Sequence, residues 1–169
     1  MKAGSVKAEI LFKHAGTLTP AIVSHLDDYY DVIPRQISCY CLAIVFERLR
    51  GAFSESAVSN LYPQLLKRLD DSSDTVRAAI GHTLEMFMQA GPRNVYTNTM
   101  LGYTLDQLFI HLDDMNPAIQ QAMFKVIMQC AELDKPMVVR KASDAQCTHR
   151  TPTNCKKIIS MCELGYEVL

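Results

Sequence analysis

Residue types able to bind a metal gather in one stretch of the 169-residue chain, at Cys147, His149, Cys155 and Cys162. A structural zinc site takes its ligands largely as close pairs, and the spacing C-x-H-x5-C-x6-C offers none. Cys155, Ile158, Ile159 and Cys162 instead follow i, i+3, i+4, i+7, the apolar stripe of a helix opened by Thr151-Pro152 or Thr153. A packing stripe and no metal is the expectation. His25 and His111 each precede a leucine on the polar flank of a helix, where Arg68 stands in between. His82 neighbours Thr83 and Glu85 but has no nucleophile at helical spacing. No enzyme and no cofactor are expected. Cys39 and Cys41 point to different sides of a helix, so they read as packing residues and not as a disulfide.

The remaining candidates are carboxylates. Leu-Asp-Asp occurs three times, placing Asp27 and Asp28, Asp70 and Asp71, and Asp113 and Asp114 at intervals of 43 residues. At equivalent turns of a stacked repeat these six would line one edge and could dock a basic partner segment, against the plainer role of solvated capping residues. Tyr30, Tyr96 and Tyr103, in or near connections, are candidate aromatic anchors.

The elements that must position them repeat with the same period. Before the middle tripeptide, Val58, Leu61, Tyr62, Leu65, Leu66 and Leu69 form one helical stripe. Its counterparts are Leu18, Thr19, Ile22, Val23 and Leu26 in the first copy, and Leu101, Thr104, Leu105, Leu108, Phe109 and Leu112 in the third. After the tripeptide a second stripe runs Val76, Ala79, Ile80, Thr83, Leu84 and Phe87. It is matched by Ile33, Gln36, Ile37, Tyr40, Cys41 and Ile44, and by Ile119, Ala122, Met123, Val126, Ile127 and Cys130. Each copy is therefore expected to be a helix, a tight turn and a second helix.

Ser, Asp and Asn in the turns suit N-caps, and Pro117 suits a first helical turn. Gly51, Gly91-Pro92 and Asp134-Lys135-Pro136 are expected to stop the second helices, while the helix of the third copy can start at Thr97 or Asn98. One such hairpin cannot bury both its stripes, so the copies should stack.

Composition agrees with this reading. Hydrophobic residues make up 49% of the chain, and 17 basic residues nearly balance 18 acidic ones for a net charge of −1, so no basic field favours nucleic acid or anionic lipid. No apolar stretch is long enough to cross a bilayer, and the six cysteines lack CxxC pairs, which fits a reduced, cytoplasmic protein. The expected class is all-α: an α-α superhelix of the HEAT/armadillo-like solenoid type, with about three hairpins and a C-terminal capping helix.

Leu61-Tyr62-Pro63-Gln64-Leu65-Leu66-Lys67-Arg68-Leu69-Asp70-Asp71, with Asp74-Thr75-Val76-Arg77-Ala78-Ala79, resembles the HEAT-repeat pattern, including the proline inside the first helix that Pro20 repeats. Pro34 and Gln120 stand at the counterparts of Arg77, which interrupts an Asp–Arg ladder between copies. The stretches YPQLLKRLDDSSDTVRAA, LFIHLDDMNPAIQQA and His149-Arg150-Thr151-Pro152-Thr153-Asn154-Cys155 resemble the carboxy-terminal portion of the HEAT-repeat dynein axonemal assembly factor 5 family.

That resemblance implies a cytoplasmic, non-enzymatic factor for preassembly of axonemal dynein arms of motile cilia. It implies protein partners: dynein intermediate and heavy chains, chaperones or other assembly factors, with no nucleic acid and no membrane. The alternative is a generic HEAT-repeat adaptor for a phosphatase or transport complex. Residues 1–17 read as the remnant of a preceding repeat, 18–51, 54–92 and 97–134 as three repeats, and 135–169 as a tail with the capping helix. The first hairpin is expected to expose an apolar side.

Overall fold

The computed structural model describes residues 8–96 and 98–164, and these form eight α-helices and no strand. The helices are α1 (Ala8–Ser24), α2 (Val32–Arg48), α3 (Glu55–Leu66), α4 (Asp74–Phe87), α5 (Asn98–Leu112), α6 (Pro117–Ala131), α7 (Lys135–Gln146) and α8 (Thr153–Leu164). They fall into two compact units, Met1–Val95 and Tyr96–Leu169.

In the first unit α1 and α3 each contain a proline, Pro20 and Pro63, and each tightens into a 3₁₀ turn carrying the Leu-Asp-Asp motif. The loss of one helical donor at proline is accommodated near the helix end, where the chain is about to turn. α2 and α4 then start on Asp31 and Ser73. α2 packs along α4 and also takes α1 against it. Phe46 of α2 meets Phe87 of α4 and Phe53 of the following link, each ring pair 5.3 Å apart, at the end of this interface. Gly51, at φ +72°, ends α2 in the left-handed conformation that only glycine adopts at no cost, and Gly51 and Phe53 donate their amides to the Gln89 and Ala90 carbonyls.

Both stripes of the middle copy are buried as the periodicity requires, Tyr62 alone remaining half-exposed. The first copy differs. Thr19, Val23 and Leu26 are buried, but Ile33, Ile37, Tyr40 and Ile44 are exposed, and α2 turns Arg35, Ser38, Cys39, Leu42, Ala43, Val45 and Phe46 inwards. Two apolar faces share this helix, and the period-43 alignment selected the outer one. α1 begins at Ala8 rather than near Leu18, and residues 1–7 of the segment read as a remnant lie outside those described.

In the second unit α5 pairs with α6, whose stripe Ile119, Met123, Val126, Ile127 and Cys130 is fully buried. α5 begins at Asn98, and Thr97 lies outside the described residues. The tail contains one helix more than its periodicity indicates. Asp134 is the N-cap of α7, accepting the Met137 amide at 2.9 Å, and Pro136 sits in its first turn. α6 already ends at Ala131, and the three residues expected to stop it open α7 instead, because proline is as suited to the first turn of a helix as it is unsuited to the interior. α7 lies against α5 and α6, while α8 pairs with α7 and reaches α6, so the tail repeats the helix–turn–helix plan.

Candidate functional site

The six aspartates divide by position in the motif. The second aspartate of each pair serves its own turn: Asp28 Oδ1 accepts the amides of Tyr30 and Asp31, Asp71 Oδ1 that of Ser73, and Asp114 Oδ1 that of Asn116. Its carbonyl in each copy accepts from a side chain of the following helix, Arg35 Nη1 on Asp28 at 2.8 Å, Arg77 Nη1 on Asp71 at 3.0 Å and Gln120 Nε2 on Asp114 at 2.6 Å. Chemically different residues therefore fill one structural role three times.

The first aspartate takes cations from the next hairpin. Asp27 receives Lys67 Nζ at 2.7 Å and Arg68 Nη2 at 3.1 Å, the latter 41 residues away. Asp113 receives Nε of Arg150, 37 residues away, and the amides of Arg150 and Thr151, and the guanidinium also reaches the Asp113 carbonyl. Arg150 thus does for the tail what Arg68 does between the first two copies. Asp70 is exposed.

Asp71 has a second assignment. Arg35 forks onto its two carboxylate oxygens at 2.9 and 3.0 Å, and Arg68 Nη1 adds a bond of 3.2 Å while also donating to the Leu26 carbonyl. Burial pushes the Asp71 carboxyl up, but the Arg35 fork, the Ser73 amide and the charges of Arg35 and Arg68 together hold it below the usual range. The Lys67 hydrogen bond leads the causes that lower Asp27, and the Asp31 amide leads those that lower Asp28. All remain carboxylates at neutral pH. At the turns of the first unit Asp27 and Asp70 are exposed, as are the edge-stacked rings of Tyr29 and Tyr30. Of the other tyrosines, Tyr103 is exposed and Tyr96 is buried.

Arg35 and Arg150 carry most of this network and were not among the sequence candidates. Arg35 stands one residue beyond Pro34, the counterpart of Arg77, so a one-residue slip conceals it. The ladder read as interrupted is therefore present between the first two copies.

The tail cluster is packed into the core only in part. Cys155 and Cys162 are buried on α8, His149 Nδ1 lies 3.3 Å from Cys155 Sγ, and Cys147 is exposed. Among the described residues no group of three or more His, Cys, Asp or Glu side chains is disposed to hold a metal, and no helix is long and apolar enough to cross a membrane. His82 faces Glu85 at 3.4 Å across one helical turn.

Helix pairs with repeated polar turns define an all-helical protein of the α-α superhelix class. Over 85% of its length the chain aligns with dynein axonemal assembly factor 5 from Homo sapiens, at 31% identity over 147 residues. The Mus musculus and Xenopus laevis proteins of that name match at 26% and 24% identity over similar lengths. No family model matches the chain. The chain is homologous to a carboxy-terminal portion of the dynein axonemal assembly factor 5 family, and it spans 17% of the length of these relatives.

Proposed function

We propose that this chain is a non-enzymatic, HEAT-type binding scaffold acting in the cytoplasmic preassembly of axonemal dynein arms. The observation that carries the reading is the alignment with three proteins named dynein axonemal assembly factor 5, which runs through 84–85% of the chain. The geometry supports a binding role: turns braced by buried ion pairs hold Asp27, Asp70, Tyr29 and Tyr30 at a defined edge, and rigid presentation lowers the ordering cost of association. On this reading the exposed carboxylates at the turns of the first unit, Asp27 and Asp70, meet basic segments of its partners. Those partners are dynein intermediate or heavy chains, chaperones or other assembly factors.

The test is affinity purification of the tagged chain from ciliated cells beside a full-length relative. Recovery of dynein subunits or assembly chaperones, reduced by Asp27→Asn with Asp70→Asn, supports the reading. Failure to recover them where the relative succeeds overturns it. A generic adaptor for a phosphatase or transport complex is the second reading, favoured if the same edge instead captures a basic peptide unrelated to dynein.

A further inference from the structure

Side chains bridge α5 and α7, and the same places on α1 and α3 leave a cleft. Gly16 of α1 and Gly102 of α5 lie two periods of 43 apart. At Gly102 the Sδ of Met137 on α7 stands 3.9 Å from the point a Cβ would occupy, whereas nothing lies within 4 Å of that point at Gly16. The residue of α3 in the place of Met137 is Ala57, since each gives its amide to the N-cap side chain three residues before it, Asp134 or Ser54. One turn further along, Lys141 of α7 reaches Asp106 of α5, while Leu61 and Pro20 hold the corresponding places in the first unit.

The cleft so left has a volume of about 580 Å³. Its walls are α1, α3 and the link that joins α2 to α3, so it lies between two neighbouring hairpins that are both present. Phe12, Val23, Phe53 and Leu61 make it largely apolar, and among the described residues no charged side chain lines it. A single side chain such as that of Met137 would fill only a fraction of this space, which falls in the range of small-molecule sites, about 300–1,000 Å³.

Two polar groups in the α1 wall lack their usual partners. Thr19 is 4% exposed, and its Oγ1 has no hydrogen-bond partner among the described residues. Pro20 has no N–H to give the Gly16 carbonyl one turn before it, so that acceptor loses its helical donor. Ser24 and Gln64, by contrast, donate to the Ala21 and Asn60 carbonyls of their own helices, and Ser54 caps α3. A buried hydroxyl without a partner costs free energy, which a ligand recovers by supplying the missing bond.

We infer that the cleft between α1 and α3 is a binding site for a neutral, largely apolar small molecule bearing one hydroxyl, an alcohol or a phenol. The hydroxyl donates to the Gly16 carbonyl and accepts from Thr19 Oγ1, while the hydrocarbon lies among Phe12, Val23, Phe53 and Leu61. A charged ligand does not fit, because no lining side chain offsets the cost of taking an ion out of water. The inference is independent of the proposed role in dynein assembly.

The probe is 2-naphthol, titrated by fluorescence into the full chain at neutral pH beside 2-methoxynaphthalene, which keeps the ring system and lacks the donor. Saturable one-to-one binding is expected, with the naphthol about tenfold the tighter. Thr19→Val should weaken the naphthol about fivefold and leave the ether nearly unchanged. Gly16→Leu puts a side chain into the empty space and should abolish binding of both. Gly16 has no positive φ and no atom in the way, and leucine favours a helix over glycine, so this variant should keep or raise the thermal midpoint.

Absence of saturable binding to the folded chain overturns the inference. So does binding that survives Gly16→Leu, which places the probe elsewhere, and so does equal affinity for the naphthol and its ether, which removes the hydroxyl from the specification. A dimer in sedimentation that Gly16→Leu dissolves assigns the cleft to a second copy and overturns it as well.

Discussion

Arg35 of α2 and Asp71 of the next turn form a bidentate ion pair with side chains only 7% and 2% exposed. Both charges have left water, so their attraction is measured against a large desolvation cost, and the pair does more for specificity of packing than for net stability. Removing one partner is another matter, because the buried Asp71 charge then keeps only Arg68 and the Ser73 amide in place of the full set of donors. Arg35→Met should destabilise the chain by about 3–5 kcal/mol, while Arg35→Met with Asp71→Leu should recover much of that loss. Urea unfolding of the two single variants and the double variant measures the coupling.

Acid should unfold the protein through the same turns. Asp27, Asp28, Asp71 and Asp113 all titrate below the ordinary carboxylate range when folded. A depressed folded pKa stabilises the native state above the unfolded value of about 3.9, and that contribution disappears as pH falls through the lower folded values. The urea midpoint should hold from neutrality to about pH 5 and drop below about pH 4. The Arg35→Met, Asp71→Leu variant should show a shallower drop.

Thiol reactivity should follow burial. Burial pushes Cys39 and Cys130 up to about 12 and Cys155 up to about 11, and it raises Cys162 as well. Cys147 is exposed and Cys41 half-buried. Since the thiolate is the nucleophile, iodoacetamide at about pH 8 should label Cys147 first and Cys41 next. The other four should react only when urea is added, as peptide mass mapping will show.

The first hairpin should open before the second. α1 buries only Thr19 and Val23 among its described residues, and α2 carries its uncovered stripe. Hydrogen exchange should therefore be faster across residues 18–50 than across 54–89. Greater protection of the first hairpin would contradict the exposure of Ile33, Ile37, Tyr40 and Ile44.

The tail turn should depend on a single carboxylate. Asp113 accepts two backbone amides and the Arg150 guanidinium, and together these outweigh the burial that would otherwise raise its pKa. Asp113→Ala should accelerate exchange at the Arg150 and Thr151 amides and proteolysis near Cys147–Thr151. Arg150→Ala should do so more weakly, since that side chain is 62% exposed and its pair is partly screened by water.

The period of 43 made the helices of the middle and third copies legible, because buried stripes leave apolar residues at helical spacing. It placed the stripe of α2 on the face equivalent to that of α4, and this face is exposed, as expected of the first hairpin; the second apolar face of α2, which covers α4, is not marked by the period. α7 escaped notice for a different reason: the tail turn pairs at a spacing of 37, not 41, and Asp134-Lys135-Pro136 carries the marks of an ending and a beginning at once. The aspartates were visible as a motif, but their division into capping and cation-binding roles depends on Arg35, Lys67, Arg68 and Arg150. Those cations lie some forty residues from the carboxylates they meet, a distance at which local pattern carries no information.

The outer surface of α8 bears on self-association. Lys156, Lys157, Ser160 and Glu163 are exposed there, and Leu164 is the one large apolar side chain exposed among them. A single apolar residue set among charges does not make the contiguous patch that a head-to-tail contact between copies would have to bury.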